Sequence, residues 1–367
     1  MLEIEEIKGI LQQFELRGEV IKSELYGEGH INETYLVVLQ DDQGRIEKYI
    51  LQKMNDVMSV GTKDLMRNME RVIAHLEQKR SEGYIESGRP LLKLIRTVHG
   101  DPFYCSKEQE SYRVFEYMIG VKAYTTAQSK QHVYECGKQV GQFIKLMSDY
   151  SFEQCYLDRV GFFHDTRKRY DDFIDAVTRD SVKRAHLLQE EILFAKERRE
   201  ELFAFMQKVE KGVLPLRATH NDTKLSNIMI EANTKKAVAL IDYDTIMPGS
   251  SVMDFGDLVR SAAVDPIERN KVDLSLFYWV TKGFLEEAAH YLTEGEVSNL
   301  LMGAKMVTME CGIRYFTDFL KGDIYFKTRK WDDNYKKGQR YFSLVMDMEK
   351  KWEQMNQMIC SLDKENL

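Results

Sequence analysis

His220, Asp222 and Asn227 stand at fixed spacing in the stretch 218–244, as His-x-Asp with Asn five residues beyond, and the stretch closes on two further carboxylates, Asp242 and Asp244. These residue types suit phosphoryl transfer, which needs an acceptor hydroxyl held in line and cations that neutralise the transferring group. A loop carboxylate accepts the hydroxyl proton, which makes Asp222 the candidate base. A loop amide, Asn227, and a strand-end carboxylate, Asp242, offer the hard oxygen ligands that Mg²⁺ prefers. His220 is expected to hold the loop by hydrogen bonds. Taken singly, the same residues also suit turn capping. Their context favours chemistry: an apolar run (228–230), a polar turn (232–236) and a second apolar run (237–241) that stops on Asp242 predict a β-hairpin.

Protein kinases write such a loop as H-R-D-x-x-x-x-N followed by D-F-G; here it is H-N-D-T-K-L-S-N followed by Ile241-Asp242-Tyr243-Asp244. A literal Asp254-Phe255-Gly256 lies farther on, 12 residues past Asp242. The strand-end position belongs to Asp242, so Asp254 is expected to brace the catalytic loop.

The elements that must position these groups begin with a helix over 3–16, then strands over 20–26 and 34–39 around a turn containing Gly27 and Gly29. Glycines let backbone amides approach phosphates, although an ordinary turn uses them too. A third strand, 47–54, carries Lys53, and the following helix, striped by Leu65, Met69, Val72 and Leu76, carries Glu70. In the kinase architecture a strand-three cation grips the nucleotide phosphates and pairs with a helix carboxylate, which makes Lys53 and Glu70 candidates. Strands over 91–97 and 112–117 complete an expected five-stranded sheet, and Glu116 and Met118 sit where backbone groups of the connector would meet adenine. From 128 onward the chain reads as helical, with one core stripe through Val133, Cys136, Val140, Phe143 and Met147, and another from Leu188 to Val209. Helices are expected at 269–292, 296–320 and 335–360, with an aromatic turn at 321–326. Glu310, Arg314 and Tyr315 before that turn suit a carbohydrate pocket, but a solvated helix face uses the same residues. The fold class is therefore α+β and two-lobed, with a small antiparallel-sheet lobe at 1–117 and a larger, mostly helical lobe at 118–367.

A net charge of −7 with dispersed basic residues argues against a nucleic-acid surface. The five cysteines show neither metal-ligand nor redox spacing, which suits a reducing cytoplasm. The acidic, amphipathic start is not expected to act as a signal peptide, and with no run of about 18 apolar residues no membrane span is expected. A monomer or weak homodimer is expected.

The loop and strand-end motifs resemble the aminoglycoside phosphotransferase/choline kinase superfamily. The blocks Gly29-His30-Ile31-Asn32, Thr219-His220-Asn221-Asp222-Thr223-Lys224, Asp244-Thr245-Ile246-Met247-Pro248-Gly249 and Asp254-Phe255-Gly256-Asp257 are similar to those of the N-acetylhexosamine 1-kinases. So are Thr308-Met309-Glu310-Cys311-Gly312-x-Arg314 and Gly322-Asp323-x-Tyr325-Phe326. The resemblance implies a two-lobed kinase fold and transfer of the ATP γ-phosphate to the anomeric hydroxyl of GlcNAc or GalNAc. It implies Asp222 as base, Asn227 and Asp242 as magnesium ligands, and His30, Asp222, Arg314 and Tyr325 around the sugar. Close relatives can carry an aromatic where this chain has Ser261, which bears on the sugar accepted. Another small acceptor (an aminoglycoside, choline or a different sugar) is the in-class alternative. Arg314 with Lys321, Lys327 and Arg329 disfavours a cationic one. A catalytically dead nucleotide sensor should lack the base or a metal ligand, and this chain keeps both.

Overall fold

The computed structural model describes residues 2–27, 32–55, 61–151 and 163–366. The chain divides into two compact units, Met1–Gly120 and Val121–Leu367.

The first unit is built on an antiparallel sheet of β1 (Glu19–Leu25), β2 (Glu33–Gln40), β3 (Ile46–Met54), β4 (Leu94–Ile95), β5 (Tyr104–Cys105) and β6 (Ser111–Glu116), in the order β1-β2-β3-β6-β4 with β5 also on β6. Period-two alternation sends Tyr35, Val37 and Leu39, with Leu51, Tyr112 and Val114, to one face. There Ile7, Ile10 and Leu11 of α1 (Ile4–Leu11) cover them. On the other face Arg113 lies against the sulfurs of Met66 and Met69, 3.7 and 3.9 Å away, on α2 (Thr62–Ser81).

Three details differ from expectation. The helix expected over 3–16 stops at Leu11, and Phe14 instead bridges to Thr97. The sheet has six strands because β5, only two residues long, gives no periodic signal. The strand expected over 91–97 shrinks to β4, because the Thr97 hydroxyl accepts from the amides of His99 and Asp101 and turns the chain.

The second unit opens with β7 (Val121–Lys122), α3 (Lys130–Leu146), α4 (Thr166–Arg179), α5 (Gln189–Glu197) and α6 (Arg199–Glu210). Next come β8 (Arg217–Thr219), β9 (Ile228–Glu231), β10 (Ala237–Leu240) and β11 (Met247–Gly249). The chain ends in α7 (Ser251–Ala262), α8 (Leu274–Ala288), α9 (Glu294–Val297), α10 (Leu300–Lys321), α11 (Asp333–Lys350) and α12 (Trp352–Asn366).

The stripe through Val133, Cys136, Val140, Phe143 and Met147 is buried. α3 crosses α8 at backbone contact, since a Cβ on Gly137 would stand 2.2 Å from the carbonyl oxygen of Val280. The 188–209 stripe is two helices, broken at Arg198, whose guanidinium makes two bonds to Glu349 (2.8 and 2.7 Å). The helix expected from 269 starts at 274, where the Asp273 carboxylate caps the amides of Ser275 and Leu276. The helix expected over 296–320 is the short α9 followed by α10, and that over 335–360 is α11 and α12, interrupted at Lys351. α7, which contains Asp254, was not expected as a helix.

Candidate active site

Two short pairings frame the loop between β8 and β9. β9 and β10 form the expected hairpin, with Leu240 opposite Ile228. β8 pairs antiparallel with β11, Thr219 opposite Met247, so the strand before the loop is tied to the chain just past Asp242. Gly249 permits that approach, because a Cβ there would stand 2.3 Å from Thr219 Oγ1. Asn221 and Asp242 both adopt left-handed backbone (φ 63° and 71°), a conformation that Asn and Asp tolerate better than other side chains.

Hydrogen bonds then fix the loop from below. Asp254, fully buried on α7, accepts the backbone N–H of His220 (Oδ2, 2.9 Å) and of Asn221 (Oδ1, 2.7 Å). Burial pushes its carboxyl up to about 7 against the pull of those two amides. His220 donates from Nε2 to the carbonyl of Ile241 (3.0 Å), so Nδ1 is the acceptor for the Asp222 N–H (3.3 Å). That fixes a neutral tautomer, in keeping with burial lowering the imidazole pKa to about 4.

Candidate side chains meet above this support. Asn227 donates from Nδ2 to Asp222 Oδ2 (2.9 Å) and to the Asp222 carbonyl (2.8 Å), which leaves its amide oxygen as the atom able to bind a cation. Lys224 donates to the same Asp222 Oδ2 at 2.5 Å. Burial raises the Asp222 pKa, but Lys224, Arg260 and His220 outweigh it and bring the carboxyl down to about 2. Lys224 also feels the Asp242 and Asp257 carboxylates, which with Asp222 hold its pKa above the usual range despite burial. A divalent cation fits this donor set. Asn227 and Asp242 supply hard oxygens, Lys224 marks where positive charge is already attracted, and nucleotide phosphates would complete the shell.

A second buried assembly reaches the loop from α10. His164 places Nε2 3.0 Å from the Asn221 carbonyl and Nδ1 3.2 Å from Glu310 Oε2. Both partners are acceptors, so both ring nitrogens must donate and His164 is an imidazolium. Burial lowers its pKa, but Glu310 outweighs burial and the net direction is up. The Glu310 carboxyl moves down for the reciprocal reason. One turn along α10, Arg314 donates to the hydroxyl of Tyr325 (3.4 Å), with its guanidinium 5.8 Å from the ring centres of Phe163, Tyr325 and Phe326. The turn bearing Tyr325 hangs on Asp318, whose carboxylate accepts the N–H groups of Ile324, Tyr325 and Phe326.

The phosphotransferase enzyme family matches residues 23–278, well over half of the 367-residue chain. The chain belongs to that family. Solved structures share its fold at low identity. An amicoumacin kinase in complex with AMP-PNP, Ca²⁺ and Ami is 14% identical, with a TM-score of 0.62 over 95% of this chain and 94% of that one. A spectinomycin phosphotransferase in complex with ADP and spectinomycin is 10% identical, with a TM-score of 0.62 over 100% and 99%. A choline kinase from Cryptosporidium parvum is 13% identical, with a TM-score of 0.56 over 99% of both chains. The sheet-built first unit and helical second unit of this phosphotransferase are the α+β kinase-like fold.

In the first unit of the phosphotransferase, Gly27 has positive φ (80°) and stands two residues past the end of β1; Gly29 and His30 lie outside the described residues. Lys53 and Glu70 do not pair. Lys53 binds Glu110 (2.5 Å) and Glu70 binds Arg96 (2.5 Å), because each finds an opposite charge on a neighbouring sheet segment. The Glu116 amide donates to the Lys93 carbonyl (2.9 Å), whereas Met118 N–H has no partner among the described residues. Sequence reasoning missed Lys224, His164, Asp257 and Asp318. Only Lys224 left a signal, a cation two residues past Asp222.

Proposed function

We propose that this phosphotransferase moves the γ-phosphoryl group of ATP to the anomeric hydroxyl of an N-acetylhexosamine, giving the sugar 1-phosphate. One observation carries the reading. The buried Glu310–His164 ion pair links α10, which carries the half-buried Arg314 and leads to the exposed Tyr325, to the backbone of Asn221 beside Asp222, so the candidate hydroxyl-binding groups and the base are tied to one support.

Asp222 orients the acceptor hydroxyl and takes its proton as the O–P bond forms. A carboxylate held at about 2 is a weak base, and a loose transition state asks little of it beyond position. Lys224 shifts from Asp222 toward the incoming phosphates, which raises the basicity of Asp222 as the nucleotide binds. Asn227 and Asp242 would hold Mg²⁺, which neutralises charge on the transferring group. Arg314 supplies a planar fork of donors for paired sugar oxygens, and the Tyr325 ring offers a face to the sugar. Gly27, Gly29, Lys53, Glu70, Glu116 and Met118 are proposed for the nucleotide, and His30 for the sugar. The nucleotides and Ca²⁺ of the amicoumacin kinase and spectinomycin phosphotransferase complexes support a nucleoside triphosphate donor with a divalent ion.

The test is ADP release from ATP and Mg²⁺ across GlcNAc, GalNAc, neutral hexoses, choline and an aminoglycoside. The expected result is kcat/KM at least tenfold higher for an N-acetylhexosamine than for any other acceptor. Preferential turnover of choline or the aminoglycoside would contradict it.

A further inference from the structure

Beside the loop, the segment 125–127, the C-terminal end of α7 and the middle of α11 line an open cavity of about 140 Å³. Its wall carries four cations, Lys224, Arg260, Arg269 and Arg340, against one carboxylate, Asp265, in a chain of net charge −7. Lys224 is neutralised by Asp222 and Arg260 by Asp257, each at 2.5 Å. Asp265 is committed to its own turn, accepting the amides of Ile267 and Glu268 (2.8 Å each). Arg269 and Arg340 have no carboxylate partner among the described residues, and the Arg340 Nε is buried without a hydrogen-bond acceptor. Like charges facing one concavity raise its potential. Guanidinium groups match phosphate and carboxylate by paired N–H donors, and a buried N–H lacking an acceptor costs free energy that a bound oxyanion would recover.

We propose that this cavity is an oxyanion-binding site that takes a phosphate or carboxylate group next to the catalytic loop. The anion is held by Arg269 and Arg340 and shares Lys224 with Asp222. It is carried either by a small-molecule substrate or product or by free inorganic phosphate. The site goes beyond the N-acetylhexosamine reading and does not depend on it, since the inference rests on the charge and shape of the cavity alone.

The probe is inorganic phosphate, titrated calorimetrically into the full-length protein at low ionic strength without nucleotide or metal. One saturable site is expected. Arg269→Gln and Arg340→Gln should each weaken it about tenfold or more, the effect of losing one charge-assisted hydrogen bond. The exposed Arg269→Glu should abolish binding while far-UV circular dichroism stays unchanged. Phosphate inhibition competitive with the acceptor would assign the anion to the acceptor's own subsite, and a non-competitive effect would assign it to free phosphate. Absence of saturable binding, equal affinity in all three variants, or binding that ATP displaces equally from wild type and variants would overturn the site. Turnover plays no part in the titration, so its result stands apart from the acceptor panel.

Discussion

Asp222 sits among cations, and its protonation state follows from them. With its pKa at about 2, Asp222 of the unliganded protein is ionised throughout the working range and should contribute no acidic limb near pH 4 to the kcat/KM profile, which reports groups of the free enzyme. Asp222→Asn should lower kcat by about 10²-fold or more, the usual loss for a positioned base, with ATP binding little changed; turnover within threefold of wild type contradicts the role. His164 governs the alkaline side. Its folded pKa is raised, so the ion pair is fully present below the ordinary histidine value of about 6.5 and is lost as pH rises through the raised value. The Glu310 pKa is lowered, so the pair persists as pH falls until that depressed value is reached. Asp257 favours the imidazolium and Arg314 opposes it, while Arg169 lies 3.6 Å from Glu310 and helps keep that carboxylate ionised. Both kcat and stability should therefore fall on the alkaline side, and Glu310→Gln should move the kcat limb to lower pH. An unmoved limb in that variant rejects His164 as a positioning residue. The pairing of Asp222 with Asn227 was legible because their types and spacing are local. His164 was not, because its partner lies 146 residues away.

Short elements hold the geometry. The hairpin after Asn227 was legible from its apolar runs, whereas the β8–β11 pair was not, because three residues per strand make no pattern. α7 brings Asp254 and Asp257 to the loop only because it crosses α10 at backbone contact. A Cβ on Gly256 would stand 2.5 Å from the Gly303 carbonyl oxygen, and one on Gly303 would stand 2.2 Å from that of Val252. Gly303→Ala should cost about 1–3 kcal/mol through overpacking and lower Tm by a few degrees. An unchanged melting curve would show that the crossing can relax. Asp318 is the matching device for the aromatic turn. Asp318→Ala strands three backbone N–H groups and should raise sugar KM more than ATP KM, a split that steady-state kinetics reads directly. Equal changes in both would mean the turn has no part in acceptor binding.

At the scale of the whole chain, the switch from strand-rich to helix-rich sequence made the α+β class legible, because period-two and helical stripes are set by burial on one face. The ion pairs of Lys53 and Glu70 were not legible, since either residue could have found several partners across the sheet. Among the described residues no helix is long and apolar enough to cross a membrane. The phosphotransferase family and kinase-like fold constrain the reaction to phosphoryl transfer, and the acceptor atom is the central claim. Two-dimensional ¹H–³¹P correlation of the product made from GlcNAc, ATP and Mg²⁺ tests that claim most directly. The account predicts a cross-peak between phosphorus and the anomeric proton, in a product that is acid-labile and no longer reduces copper. A cross-peak to the C6 protons, with the reducing end intact, would contradict it.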